Sequence, residues 1–307
     1  SEASTISKMI NAKPSLTSLA EWEIIRRPIP GYSFFEDIYE VLPGSIIDSD
    51  GYIYTHWSWE RKQEDFKQEA FEQLLIQSIS DHELSDVQNV SLLSGGLDSA
   101  LILACSNIQK CYTVGLVDNN EFEGALDTSN ILNRNLTQVT IDKQTLQETW
   151  KFLTRLKGEP LSLPNEALIF KACKAMLPTE KVVLTGEGAD ELLFGYDNIF
   201  RWIKSETKII PEIFLQRYGY SQNCNKSDRL LDFIHDLSIL KKPIDFLEDF
   251  FYQVHLPGLL CRMDFVSMAA SKEARVPFVS KGLISYMYRQ PYNIKINEAE
   301  SKIPIRK

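Results

Sequence analysis

The sequence lacks any apolar run approaching about 18 residues, so no membrane-spanning helix is expected. Its start lacks the compact apolar stretch of a signal peptide. The five cysteines, Cys105, Cys111, Cys173, Cys224 and Cys261, contain no Cys-x-x-Cys pair. That spacing does not support a structural zinc site, and it fits reduced thiols in a cytoplasmic protein. His56, His82, His235 and His255 are scattered, and none stands at metal-ligand spacing from another histidine or a cysteine. Internal repeats and low-complexity tracts are absent. Positive charge is in short supply: 33 Lys and Arg stand against 42 Asp and Glu, a net charge of −9. Such a balance counts against DNA or RNA as a partner.

What is present is an ordinary globular composition, 44% hydrophobic and 24% charged, in a length that fits one to two domains. Short apolar runs predict strands near 88–94, 111–117, 136–141 and 181–185. Between and after them, helices are expected over 98–107, 122–134, 143–156, 164–177 and 190–204. This alternation predicts an α/β fold, a parallel sheet sandwiched by helices. Residues 62–80 carry Phe66, Ala70, Phe71, Leu74, Leu75 and Ile79 at helical spacing, which reads as a packed helix beside the first strand rather than a partner-binding stripe. From about 205 the pattern is helical, and a C-terminal helical subdomain closing the acceptor side is expected.

Ser94-Gly95-Gly96-Leu97-Asp98-Ser99 follows the apolar run Val90-Ser91-Leu92-Leu93 and precedes Ala100-Leu101-Ile102. Strand, tight glycine turn and helix N-terminus is the reading. A helix N-terminus offers unpaired N–H groups and the positive end of the helix dipole. Two glycines let backbone approach a ligand, Ser94 and Ser99 add hydroxyls, and Asp98 adds a carboxylate, so the segment suits phosphate with a metal ligand alongside. A plain Gly-Gly turn with a helix cap is the alternative. The P-loop pattern Gly-x-x-x-x-Gly-Lys-Ser/Thr is absent, as is a dinucleotide fingerprint.

A second segment, Lys181 to Tyr196, reads KVVLTGEGADELLFGY. Gly186 and Gly188 bracket Glu187 after an apolar run, and Asp190 and Glu191 fall where the next helix begins. Three carboxylates so close together call for a cation, and Mg²⁺ on substrate phosphates is the natural one. A solvated acidic helix cap is the alternative. In a doubly wound sheet both loops open on the same edge, beyond the strand C-termini.

The first motif resembles the pyrophosphate loop of the ATP pyrophosphatases, which cleave ATP between the α- and β-phosphates. The second is similar to the Gly-Glu-Gly-Ala-Asp-Glu-Leu-x-x-Gly-Tyr signature of the asparagine synthetase family. A third block, Leu259 to Phe278, agrees with it through Arg262, Asp264, Ser267, Met268, Ala269, Ser271, Glu273, Arg275, Pro277 and Phe278. The resemblance covers residues 36–307 and implies a fold of the adenine nucleotide α-hydrolase (HUP) type. It implies ATP and Mg²⁺ as cofactors, and a reaction in which ATP activates a carboxylate as an acyl-adenylate that an amine attacks. By position it assigns Ser94, Gly95, Gly96 and Ser99 to pyrophosphate, with Gly186 in the adjoining loop. Leu93, Val114 and Gly115 go to adenine, Asp98 and Asp190 to magnesium, and Glu187 to the amine proton or the tetrahedral intermediate. Lys302, in a tail similar to Lys-x-x-Leu-Arg, would face the phosphates; Pro304 departs from that pattern. Glu273 and Arg275 are expected to pair with each other. Ser280 stands where the family usually has aspartate, and can replace it only if that aspartate caps a helix.

The resemblance further implies residues 1–60 as a hinge and hairpin remnant and 61–307 as the synthetase domain, with 205–307 mainly helical. Glutamine-dependent relatives carry an N-terminal glutaminase domain with a cysteine nucleophile, whereas this sequence begins Ser1-Glu2-Ala3 and reaches its first cysteine at Cys105. It also stops at Lys307, where relatives continue. Three explanations stay open: a piece of a longer protein, a synthetase subunit fed ammonia by a separate glutaminase partner, or an enzyme whose amine lies on the substrate itself. The expected reaction is asparagine synthesis from aspartate and ammonia. Alternatives are an intramolecular ligase forming a β-lactam or lasso-peptide macrolactam, and a non-catalytic nucleotide-binding homologue. The expected partners are a small acid and ammonia or an amine, with neither nucleic acid nor membrane; a homo-oligomer is compatible with all three.

Overall fold

The computed structural model describes residues 3–58, 65–221, 227–288 and 290–306. Cys224 and residues 62–64 of the expected 62–80 helix lie outside them. The chain divides into two compact units: Ser1–Arg61, Arg155–Ser162 and Tyr196–Gly258 form one, and Lys62–Thr154, Leu163–Gly195 and Leu259–Lys307 the other.

The first unit holds a two-stranded antiparallel ribbon of β1 (Ser45–Ile47) and β2 (Ile53–Thr55), with Ile46 opposite Tyr54. Its helices pack around aromatic rings. Phe214 meets Phe246 and Phe250 edge-on at 5.0 and 4.9 Å, and Phe200 lies 5.0 Å from Phe251. Such contacts add about 0.5–1.5 kcal/mol each beyond area burial. Glu21, fully buried, accepts from the Arg229 guanidinium at 2.7 and 2.9 Å and from the Ile29 N–H at 3.1 Å, so its charge is matched on both oxygens.

The second unit is a five-stranded, wholly parallel sheet: β3 (Gln88–Leu92), β4 (Lys110–Leu116), β5 (Asn135–Ile141), β6 (Glu180–Leu184) and β7 (Glu273–Arg275), in the order β5-β4-β3-β6-β7. The strands read as apolar runs because both faces are covered: Val90, Cys111, Tyr112, Val183 and Leu184 are all buried. The chain winds outward from β3 through β4 to β5, then resumes on the other side of β3 at β6. The switch point therefore lies between β3 and β6, where ligands bind in such sheets.

The four expected strands are present, and β7 is a fifth within the stretch read as helical. Its three residues lack a β-branched pattern. Pairing with β6 holds them, Val182 opposite Glu273 and Leu184 opposite Arg275. The helix expected over 190–204 is broken into Ala189–Leu193 and Asp197–Ile203 by Phe194, whose φ is +58°. The helix expected from 62 runs Gln68–Glu83 with Phe71, Leu75 and Ile79 buried. Ser280 precedes helix Lys281–Tyr288 and accepts from the Leu283 N–H at 3.4 Å, which is the cap role. Arg275 donates to Glu273 at 2.8 Å, as expected, and also to the carbonyls of His82 and Leu84. Among the described residues, no helix is long and apolar enough to cross a membrane.

Candidate active site

The turn after β3 feeds helix Leu97–Cys105, with Gly96 as its cap residue. Within the turn, the Ser94 N–H donates to Ser99 Oγ at 3.0 Å, the two hydroxyl oxygens lie 3.0 Å apart, and the Gly96 N–H donates to Ser94 Oγ at 3.1 Å. The Gly95 N–H points at a carboxylate oxygen, Glu121 Oε2, at 3.3 Å. Acceptor oxygen is thus what this loop attracts, as a helix N-terminus should. Leu93 is buried and its N–H is committed to Tyr112 O at 2.8 Å. Gly115 lies near the end of β4 beside Val114, opposite Thr140.

The loop after β6 meets this turn because Gly186 has no side chain. A Cβ there would stand 2.8 Å from Ser99 N and 2.9 Å from Asp98 Cβ. The close approach brings Asp190, at the start of helix Ala189–Leu193, towards Asp98. Between them sits Lys302, whose Nζ is 2.6 Å from Asp98 Oδ2 and 2.6 Å from Asp190 Oδ1. A Cβ on Gly195 would collide with Asp190 Oδ1 and Lys302 Cε. Phe194 at φ +58° and Lys302 at φ +56° adopt the left-handed conformation, and the Lys302 N–H donates to Leu193 O at 3.2 Å. Left-handed backbone disfavours side chains by roughly 1–2 kcal/mol per residue, so the surrounding contacts must hold both.

Burial pushes the Asp98 carboxyl above the usual range, and the charges of Asp190 and Glu191 add to that; pairing with Lys302 opposes it without cancelling it. Burial alone would lower Lys302, but hydrogen bonds and charge from Asp190 and Asp98 raise it instead. The two shifts thus have different causes, burial for Asp98 and the neighbouring carboxylates for Lys302.

Glu187 follows the same strand. Its Oε1 accepts from Arg262 Nη2 at 2.7 Å, with the two side chains 16% and 7% exposed. Arg262 Nε and Nη1 are buried without hydrogen-bond partners. Sequence comparison placed Arg262 in register without giving it a partner. The one available signal was an arginine inside the apolar run of helix Leu256–Ala269.

Asp98 Oδ1 is likewise buried and unpartnered. Among the described residues no group of three or more His, Cys, Asp or Glu forms a metal cage. Two carboxylates with an orphaned oxygen fit Mg²⁺, which is commonly held by one or two carboxylates together with substrate phosphates. Asp98 and Asp190 are the residues suited to it.

A doubly wound α/β domain, with a glycine loop and an Asp–Lys–Asp cluster at its switch point, is the class that fold and site define. Residues 70–307 match the asparagine synthase family, and the chain belongs to it. It is 23% identical to the glutamine-hydrolyzing asparagine synthetase 3 of Bacillus subtilis (strain 168), over 91% of this chain and 52% of that protein. Asparagine synthetase 1 of the same strain is 27% identical over 58% of this chain and 28% of its own length. The chain thus spans about half, or less, of the curated relatives it matches. Among solved structures, a glutamine-dependent NAD+ synthetase from Acinetobacter baumannii in complex with ADP is similar over 50% of this chain and 31% of its own, at 19% identity and a TM-score of 0.33.

Proposed function

We propose that this chain is an ATP-dependent amide ligase, forming AMP and pyrophosphate, with aspartate as the acid and ammonia as the amine. The observation that carries the reading is the meeting of three sequence motifs at one point: Asp98 from the glycine loop, Asp190 from the second loop and Lys302 from the tail, within 2.6 Å contacts. In this reaction a carboxylate oxygen attacks the α-phosphorus and pyrophosphate leaves. The amine then attacks the acyl carbon, AMP leaves and the amine loses a proton.

The N–H groups of the Gly95–Gly96 turn and the helix dipole bind phosphate oxygens. Lys302 neutralises charge on the departing pyrophosphate. Glu187, aimed by its 2.7 Å bond from Arg262, accepts the amine proton. Mg²⁺, when held by Asp98 and Asp190, supplies further neutralisation of phosphate charge. Gly186 and Gly195 keep these groups close enough to act together. The buried thiols of Cys111 and Cys173 fit a reducing setting such as the cytoplasm.

Incubation with ATP, Mg²⁺, aspartate and ammonium, with AMP, pyrophosphate and asparagine quantified together, tests the proposal. Asparagine in equal yield with AMP, lost in Asp98→Ala, is the expected result. AMP release that ignores aspartate but responds to another acid would overturn the choice of substrate. No AMP with any acid would overturn the ligase reading.

A further inference from the structure

We propose that Lys302 is a built-in counter-cation that competes with divalent metal for Asp98 and Asp190, so that metal enters by displacing the ammonium. The inference deepens the reading of this site as one for a metal-bound nucleotide and rests on it. One Nζ contacts both carboxylates at 2.6 Å, and those carboxylates come from separate loops, after β3 and after β6. The space is shaped for the lysine stem, because any side chain on Gly195 would strike Lys302 Cε. Charge alone does not complete the site. The ammonium takes Oδ2 of Asp98 and leaves the buried Oδ1 without a partner. A hard cation that takes several oxygen ligands would use it.

Displacement needs only the side chain to move. The backbone of Lys302 is pinned by its N–H bond to Leu193 O, and the segment leading to it is closed by the Ile296–Ser301 bridge and the Asn297–Glu300 hydrogen bond. Four rotatable bonds then let the ammonium leave the carboxylates without disturbing that segment. The same lysine thus holds the two loops together before the metal arrives and becomes available to phosphate afterwards.

Mn²⁺ titrated without nucleotide, with the free ion read by electron paramagnetic resonance, tests the competition. Lys302→Met is expected to bind one Mn²⁺ about tenfold more tightly than the unaltered chain, since a unit charge has left the site. Lys302→Arg should not show that gain, and Lys302→Met with Asp190→Asn should lose it. Equal affinity of Lys302→Met and the unaltered chain, with both melting cooperatively, would overturn the proposal. Should Lys302→Met fail to fold, acylation of Lys302 in the unaltered chain, mapped by peptide mass spectrometry, replaces it. Labelling that rises with Mg²⁺ supports the exchange, and labelling indifferent to Mg²⁺ contradicts it. Neither readout involves turnover, so failure of amide synthesis is distinguishable from failure of the exchange.

Discussion

Gly195 shows how one absent methyl group sets the site. Gly195→Ala would force Asp190 or the Lys302 stem aside. Misplacement on that scale costs on the order of a hundredfold in rate. We expect that loss in AMP formation with little change in the far-UV circular dichroism; unaltered kinetics would show that the contact is not needed. Two buried thiols report on the fold. Burial pushes Cys111 up to about 11 and Cys173 up to about 12, from an ordinary 9.0. Both should resist iodoacetamide at pH 8 in the native chain and react once it is unfolded. As pH rises past 9, the unfolded chain ionises these thiols first. Their share of stability is complete below pH 9 and lost as pH climbs towards 11–12. Urea midpoints that stay flat from pH 8 to 11 would contradict this.

At the scale of elements, Glu180 ties three pieces of the sheet unit. It is fully buried at the start of β6, and accepts from Lys110 at 2.7 Å and Tyr112 Oη at 2.6 Å on β4, and from the Leu177 N–H at 2.7 Å. Glu180→Leu strands these donors and should lower unfolding free energy by about 3 kcal/mol in urea titrations; a loss below about 0.5 kcal/mol would refute the role. Much of this architecture was legible in sequence. The strand–turn–helix around Ser94–Ser99 follows from local chemistry, and the four long strands from their apolar runs. What sequence missed depends on partners far along the chain. The strand β7 exists because β6 pairs with it. The helix expected over 190–204 breaks at the left-handed Phe194, where Leu193 O accepts from the Lys302 N–H and Gly195 lies against the Lys302 stem. The motif residues Asp98, Asp190 and Lys302 were all singled out, but the bridge by Lys302 spans 204 residues and left no local trace. Arg262 was in register, yet its role beside Glu187 emerged only when helix Leu256–Ala269 was placed.

For the whole molecule, the proposed chemistry is carboxylate activation on the α-phosphate followed by capture with an amine, and family membership and the meeting of Asp98, Asp190 and Lys302 support it. The account separates from simple phosphorylation of the acid by where one oxygen atom ends. In an acyl-adenylate route the oxygen that bridges acid and phosphorus leaves with AMP. The most direct test is therefore amide synthesis from aspartate labelled with ¹⁸O in its side-chain carboxylate, followed by mass spectrometry of the nucleotide. We predict AMP carrying one ¹⁸O for each amide formed. Unlabelled AMP, or ADP with label in inorganic phosphate, would contradict the account.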